Sequence, residues 1–295
     1  MMGKPILLTK TKLIQPIEQA LIRIKGVEQR EIIEDKIVLE GIFVLVVSSF
    51  EYSLNDTLRV LLNFIPDKLD IKTESIPKND LVNGNPLELA IENKILSVSY
   101  KSLPDILNYF AVTTGIDKKQ IDETELNSLL EIKATRNLLL HNNLVINNIY
   151  KDTAGPNIRK PNNGNGKLSI DKDYLLQSLK TIKQVLEKIK TALLEKYASY
   201  TNVEAVKRLF QYIFKTPIMV FEKEFEIDDD QIVGFKSENS AIDSLSTSER
   251  FFYDIWLAHS FGKCFQFKPG SIYHLDNNNI EKLKYFISAL ELLKS

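Results

Sequence analysis

The chain has a single cysteine, only three histidines and no excess of charge of either sign, with a formal net charge of -1 over 295 residues. Cys264 alone excludes an internal disulfide and fits a reducing compartment, so a cytoplasmic protein is expected. His259, Cys264 and His274 stand at spacings that match no common zinc pattern and read as packing and surface residues. No cofactor and no metal are expected. Near-neutral charge excludes a global basic field, so any contact with RNA must rest on a local patch. Met1–Lys12 lacks the apolar core of a secretory signal. The most apolar run, Ile42–Phe50, is bracketed by Glu40 and Glu51 and broken by Ser48 and Ser49, short of the ~20 apolar residues of a membrane span. It reads as a core helix, and no membrane partner is expected. Gly164-Asn165-Gly166-Lys167 lacks the remaining residues of a phosphate loop and the strand that should precede it.

What is present is an ordinary globular composition, 44% hydrophobic and 26% charged, sufficient for one large or two small domains. Helical periodicity dominates, and the fold class expected is all-α. Pro16 suits a first helical turn, with Ile17, Ala20, Leu21 and Ile24 forming a stripe up to Gly26. A longer helix is expected from about Val27 to Phe64. Asp67–Pro86 reads as a long connection. Leu87–Tyr100 and Asp105–Thr114 follow as helices, the second closed by Gly115. Lys151–Lys167 is the clearest surface loop, and Asp171–Tyr197 a long amphipathic helix. Beyond Tyr200 the character changes. Val203–Phe214 reads as a helix, Ile218–Phe225 as a strand pair or a short helix, and Asp228-Asp229-Asp230 as an exposed turn. Ser246–Glu249 offers a capping box before the aromatic-rich Phe251–Phe261, and a helix from about Asn279 to Leu293 ends the chain. The expected division is 1–200, a helical domain with an inserted helical pair, and 201–295, a mostly helical accessory subdomain.

One run stands out. Glu123–Asn147 has strong helical periodicity through Leu126, Leu129, Leu130, Ala134, Leu138 and Leu144, with Asp122 or Thr124 available as its cap. Within it, Arg136-Asn137-Leu138-Leu139-Leu140-His141 sets a guanidinium, a carboxamide and an imidazole close together. At about 100° per residue, Asn137 and His141 point along Leu126, Leu130 and Leu140. They are expected on a buried face, where unpaired polar groups cost roughly 1–3 kcal/mol each and therefore need a partner or a purpose.

Arg136 and His141 with Asn137 between them, the flanking Leu129–Thr135 and the long apolar helix around Ile42–Tyr52 together resemble the HEPN superfamily of all-helical domains. The likeness is to the RiboL-PSP and MAE-type HEPN domains of bacterial defence and toxin systems, and it covers roughly residues 10–200. It implies a HEPN-like helical bundle and a metal-independent endoribonuclease, a toxin or effector in antiviral defence. It implies a homodimer that joins two motifs in one cleft, with RNA as substrate and a regulatory or antitoxin partner.

The chemistry of the residues fits that implication. An imidazole changes charge near neutral pH and can act as base or acid. Arg136 offers a planar cationic fork to phosphate oxygens. Asn137 can orient the imidazole or donate to the phosphate. For Glu51 two arrangements stay open: an intrahelical pair with Asn55 or Arg59, or the approach to Arg136 and His141 that the resemblance implies. Tyr150, Lys151 and Lys133 are candidate substrate contacts, and Arg159, Lys160 and Lys167 are further cations for an RNA backbone. The alternative is a catalytically silent helical interaction or dimerisation module. A third reading makes the chain a ligand sensor whose recognition lies in 201–295.

Overall fold

Helix starts in this chain are set by short polar side chains that take up the first free N–H groups. Asp35 accepts from the amides of Ile37 and Val38, Asn85 from Glu88, Ser102 from Asp105 and Asp171 from Tyr174, each satisfying donors that a helix leaves orphaned. Asp122 and Glu125 form a full capping box, each side chain accepting from the other's backbone N–H. The computed structural model describes residues 5–30, 35–70, 84–161, 166–214, 225–228, 231–235, 251–252, 254–256, 258–259 and 277–294.

Among the described residues the protein is all-α apart from one two-stranded hairpin. The helices bounded among the described residues are α1 (Lys10–Glu28), α2 (Lys36–Phe64), α3 (Pro86–Ser99), α4 (Leu103–Thr114), α5 (Glu123–Asn142), α6 (Asn148–Thr153), α7 (Lys172–Lys196), α8 (Asn202–Phe214) and α9 (Asn277–Lys294). The chain divides into two units, Thr11–Tyr197 and a second made of Met1–Lys10 with Ala198–Ser295. The first ten residues belong with the second unit, where the Lys10 amide donates to the Tyr200 carbonyl at 2.6 Å.

In the first unit α2 is the hub, packing against α3, α4, α5 and α7. Phe43, Val46, Val47, Phe50, Leu54, Leu58, Leu61 and Leu62 form its buried side. At 29 residues α2 is long and apolar enough to cross a membrane by length and composition, longer than the run Ile42–Phe50 indicated. Here those apolar side chains make the core of a bundle. α7 completes that core with Leu175, Leu179, Ile182, Val185, Leu186, Ile189 and Leu193.

Several boundaries differ from the sequence expectation. Gly26 does not stop α1, which runs to Glu28, and the single helix expected from Val27 to Phe64 is broken before the Asp35 cap. Pro16 lies inside α1, not in its first turn. The helix begins earlier because Leu13 and Ile14 are already buried. Part of the expected loop Lys151–Lys167 is helical: Asn147 caps α6, and Tyr150 and Ala154 anchor it in the core. Gly164 and Asn165 lie outside the described residues. Gly115 does close α4, at φ 75°. A Cβ there would meet Lys196 Cε at 3.3 Å. Gly115→Ala should therefore cost about 1–2 kcal/mol for the left-handed backbone, read as a lower urea midpoint with unchanged slope.

In the second unit, Phe225–Asp228 (β1) and Gln231–Phe235 (β2) pair antiparallel, with Phe225 opposite Phe235 and a register shift between Glu226 and Ile227. Residues 251–252, 254–256 and 258–259 are helical, and Phe252 meets Phe286 of α9 edge-on at 5.7 Å. His259 pairs with Glu291 at 2.6 Å. Ile218–Glu224, Ser246–Glu249, Cys264 and His274 lie outside the described residues.

Candidate active site

α5 carries apolar residues around its whole circumference, so its periodicity does not select a face. The side that packs holds Leu129, Glu131, Ile132, Ala134, Thr135 and Leu138. The opposite side carries Leu126, Lys133, Asn137, Leu140 and His141. This corrects the expected burial of Asn137 and His141: His141 is exposed, Asn137 is half-buried, and Leu140 keeps 52% of its surface accessible. Neither polar group pays a desolvation penalty inside the core. Among the described residues, no hydrogen bond or ion pair holds the His141 ring.

Arg136 is held more closely. Its Nη1 donates to Asn137 Oδ1 at 2.8 Å, and its Nη2 donates to Glu51 Oε2 at 2.6 Å and to Ser48 Oγ at 3.5 Å. Its Nε is buried without a partner. Glu51 Oε1 meets Lys133 Nζ at 2.8 Å. Lys133, Arg136 and Glu51 keep 18%, 19% and 18% of their side-chain surface. Of the two arrangements open for Glu51, the structure thus has the approach to Arg136. Neither intrahelical partner takes part: Arg59 is engaged by Asp56 and, at 2.6 Å and 2.9 Å, by Glu92 of α3, and Asn55 Oδ1 is buried without a partner. His141 is not joined to this cluster within one chain.

The end of α5 is unusual in its backbone. Asn143 and Leu144 both have positive φ, 48° and 63°. Leu144 is a residue type that rarely adopts this conformation. It is held there by burial and by the bonds Leu144 N–H to Leu138 O (3.1 Å) and Leu168 N–H to Leu144 O (2.9 Å). The turn fixes where α5 ends, one residue after His141. It also ends the helix five residues before Asn147, where the periodic run stopped.

Behind α5 lies a network that the sequence reading missed. The buried Glu131 accepts from Thr135 Oγ1 at 2.5 Å and Tyr150 OH at 3.0 Å through Oε1, and from Tyr174 OH at 2.8 Å through Oε2. The Arg159 amide donates to Tyr150 OH at 3.1 Å, and the Arg159 guanidinium lies 3.6 Å over the Tyr174 ring and donates to the Ser169 carbonyl at 2.6 Å. Tyr150 is therefore a packing residue, buried to 2%, and offers no ring face for stacking. Arg159 likewise ties the loop to the bundle. Lys151 and Lys160 are exposed, and Lys167 donates to Asn143 Oδ1 at 2.9 Å. Glu131 carries no sequence signal of its own, because α5 is apolar on both sides and only packing turns this carboxylate inward.

Burial, and after it the charge of Glu131, pushes the Tyr174 phenol far above its ordinary range, and Tyr150 is raised too, with the Arg159 amide working against the shift. A phenol with a raised folded-state pKa adds stability that is complete below the unfolded value of 10.0 and declines as pH rises above it. Urea midpoints should therefore fall above pH 10.0, and Tyr174→Phe should flatten that fall while lowering stability at neutral pH.

Comparison of the chain with protein-family models, with characterised proteins and with solved structures finds no match.

Proposed function

We propose that the chain is a metal-independent endoribonuclease of the HEPN type that works as a homodimer, an effector or toxin of antiviral defence. The observation that carries this reading is the cluster on α5 and α2: Arg136 oriented by Asn137 and Glu51, Lys133 beside them, and His141 on the same helix, uncovered. In the reaction the RNA 2′-oxygen attacks phosphorus as an imidazole takes its proton. The bond to the 5′-oxygen breaks as a second imidazole donates a proton to that oxygen. The products are a 2′,3′-cyclic phosphate and a 5′-hydroxyl. Arg136 stabilises the charge that grows on the phosphoryl oxygens.

Base and acid are two roles, and His141 is the one imidazole in the motif. A second copy supplies the other. An exposed apolar seam supports such pairing: Val38, Leu45 and Tyr52 on α2 are 38%, 48% and 61% accessible and recur at the seven-residue period of helix–helix contacts. The seam runs beside Ser48 and Glu51, next to Arg136. The second unit is assigned a regulatory or partner-binding part. Cleavage of mixed RNA in excess EDTA, comparing wild type with Arg136→Ala, tests the reading. Wild type cleaves and the variant does not.

The separation of His141 from Arg136 within one chain favours one other reading, a silent dimerisation module. For that module the wild type leaves RNA intact and both proteins remain dimers.

A further inference from the structure

The Glu51 carboxylate meets two cations at once, Lys133 through Oε1 at 2.8 Å and Arg136 through Oε2 at 2.6 Å. Two oxygens of one anion, each on a different cation, is also how the non-bridging oxygens of a phosphodiester are held. We propose that Glu51 occupies an anion site made by Lys133 and Arg136, and that an RNA phosphate enters this site by displacing the Glu51 carboxylate. The identity of the ligand as RNA rests on the ribonuclease reading; the anion site itself rests on the geometry.

Four features support the exchange. The guanidinium is fixed before any ligand arrives, because Asn137 Oδ1 holds Nη1 and leaves Nη2 directed at the anion. All three side chains are close to one-fifth exposed, so the site is reachable from solvent yet dry enough for charge to matter. Glu51 keeps 18% of its side-chain surface open to solvent, which is the path its carboxylate takes on leaving. Lastly, a phosphodiester carries the same single charge as the carboxylate it replaces. The exchange leaves the two cations neutralised to the same degree, whereas loss of Glu51 without a ligand would leave them repelling each other. Lys133 is thereby a phosphate-binding residue alongside Arg136, and Glu51 sets how readily the backbone binds.

The test is binding of a fully 2′-O-methylated oligoribonucleotide, which has no free 2′-hydroxyl to attack with, by fluorescence anisotropy from about 50 to 200 mM salt. Glu51→Gln keeps the shape and removes the competing charge. It should bind about tenfold more tightly than wild type at the low-salt end, and the slope of log K against log salt should steepen by ~0.7, the value for one further single-strand phosphate contact. Adding Lys133→Gln to that variant should return both quantities to or below the wild-type values. Glu51→Ser, with thermal melts of each protein, serves as a second removal of the charge if the glutamine variant does not fold. Unchanged or weaker binding by a folded Glu51 variant would overturn the proposal, because a carboxylate that merely positions its neighbours would weaken binding when lost. If the Glu51 variants bind more tightly while wild type never cleaves RNA, the anion site stands and the ribonuclease reading falls. If wild type cleaves and the Glu51 variants gain nothing, the displacement idea falls alone.

Discussion

On the proposed reading His141→Ala should lower RNA cleavage by about 10²–10⁴-fold and leave thermal stability within about 0.5 kcal/mol of wild type. The two halves of this result come from one observation. The ring is exposed, and among the described residues nothing in its own chain bonds to it, so its loss removes no packing and orphans no buried partner. On the proposed reading, what is lost is the proton it carries in the reaction. Cleavage rate and urea midpoint measured on the same preparation check the expectation. A fall in both would mean that His141 contributes to folding, and undiminished cleavage would remove it from the reaction.

Glu131→Ala has the opposite signature. It removes the acceptor shared by Thr135, Tyr150 and Tyr174, in surroundings where Thr135 and Tyr150 are almost wholly buried. Hydrogen bonds to a charged group contribute about 1.5–3 kcal/mol each, and the three act as one unit and do not add fully. The expected loss is about 3–5 kcal/mol, large against the stability of a domain of this size. Glu131→Gln keeps one acceptor oxygen and should lose markedly less. Activity should fall in proportion to the unfolded fraction and recover at lower temperature, where the folded form returns. Chemical denaturation of the two variants separates them directly.

How much of this was legible in the sequence follows from what kind of interaction each feature depends on. Local chemistry read well. Asp122, one of the two caps the sequence offers, caps α5, Gly115 ends α4, and the amphipathic stripe of α7 needs no knowledge of its neighbours. Features decided by distant partners did not. Leu126, Leu130 and Leu140 are as apolar as Leu129, Ile132 and Leu138, and only the packing of α2 and α7 selects which set is covered. Asn137 and His141 were assigned to the buried side for that reason. Arg59 was available to Glu51 along the helix, but Glu92, thirty-three residues later, takes it. Glu51 instead meets Arg136, eighty-five residues on. Tyr150 stands open in the sequence between stacking on RNA and ordinary packing, and Glu131 and the Arg159 amide, which give its hydroxyl two partners, decide for packing. The candidate residues Arg136, Asn137 and Glu51 could be named from the sequence, while their mutual arrangement, and the neutralised state of the two cations, required the fold.

The measurement that bears most directly on the central claim is the chemistry of the cut ends. An oligoribonucleotide is digested in excess EDTA by the full chain, beside a copy with a single 2′-deoxy sugar at the preferred cleavage position, and the termini are identified by mass. The account predicts 2′,3′-cyclic phosphate and 5′-hydroxyl ends from the first substrate and no cut at the deoxy position of the second. Ends bearing 5′-phosphate, or a cut at the deoxy position, would contradict it.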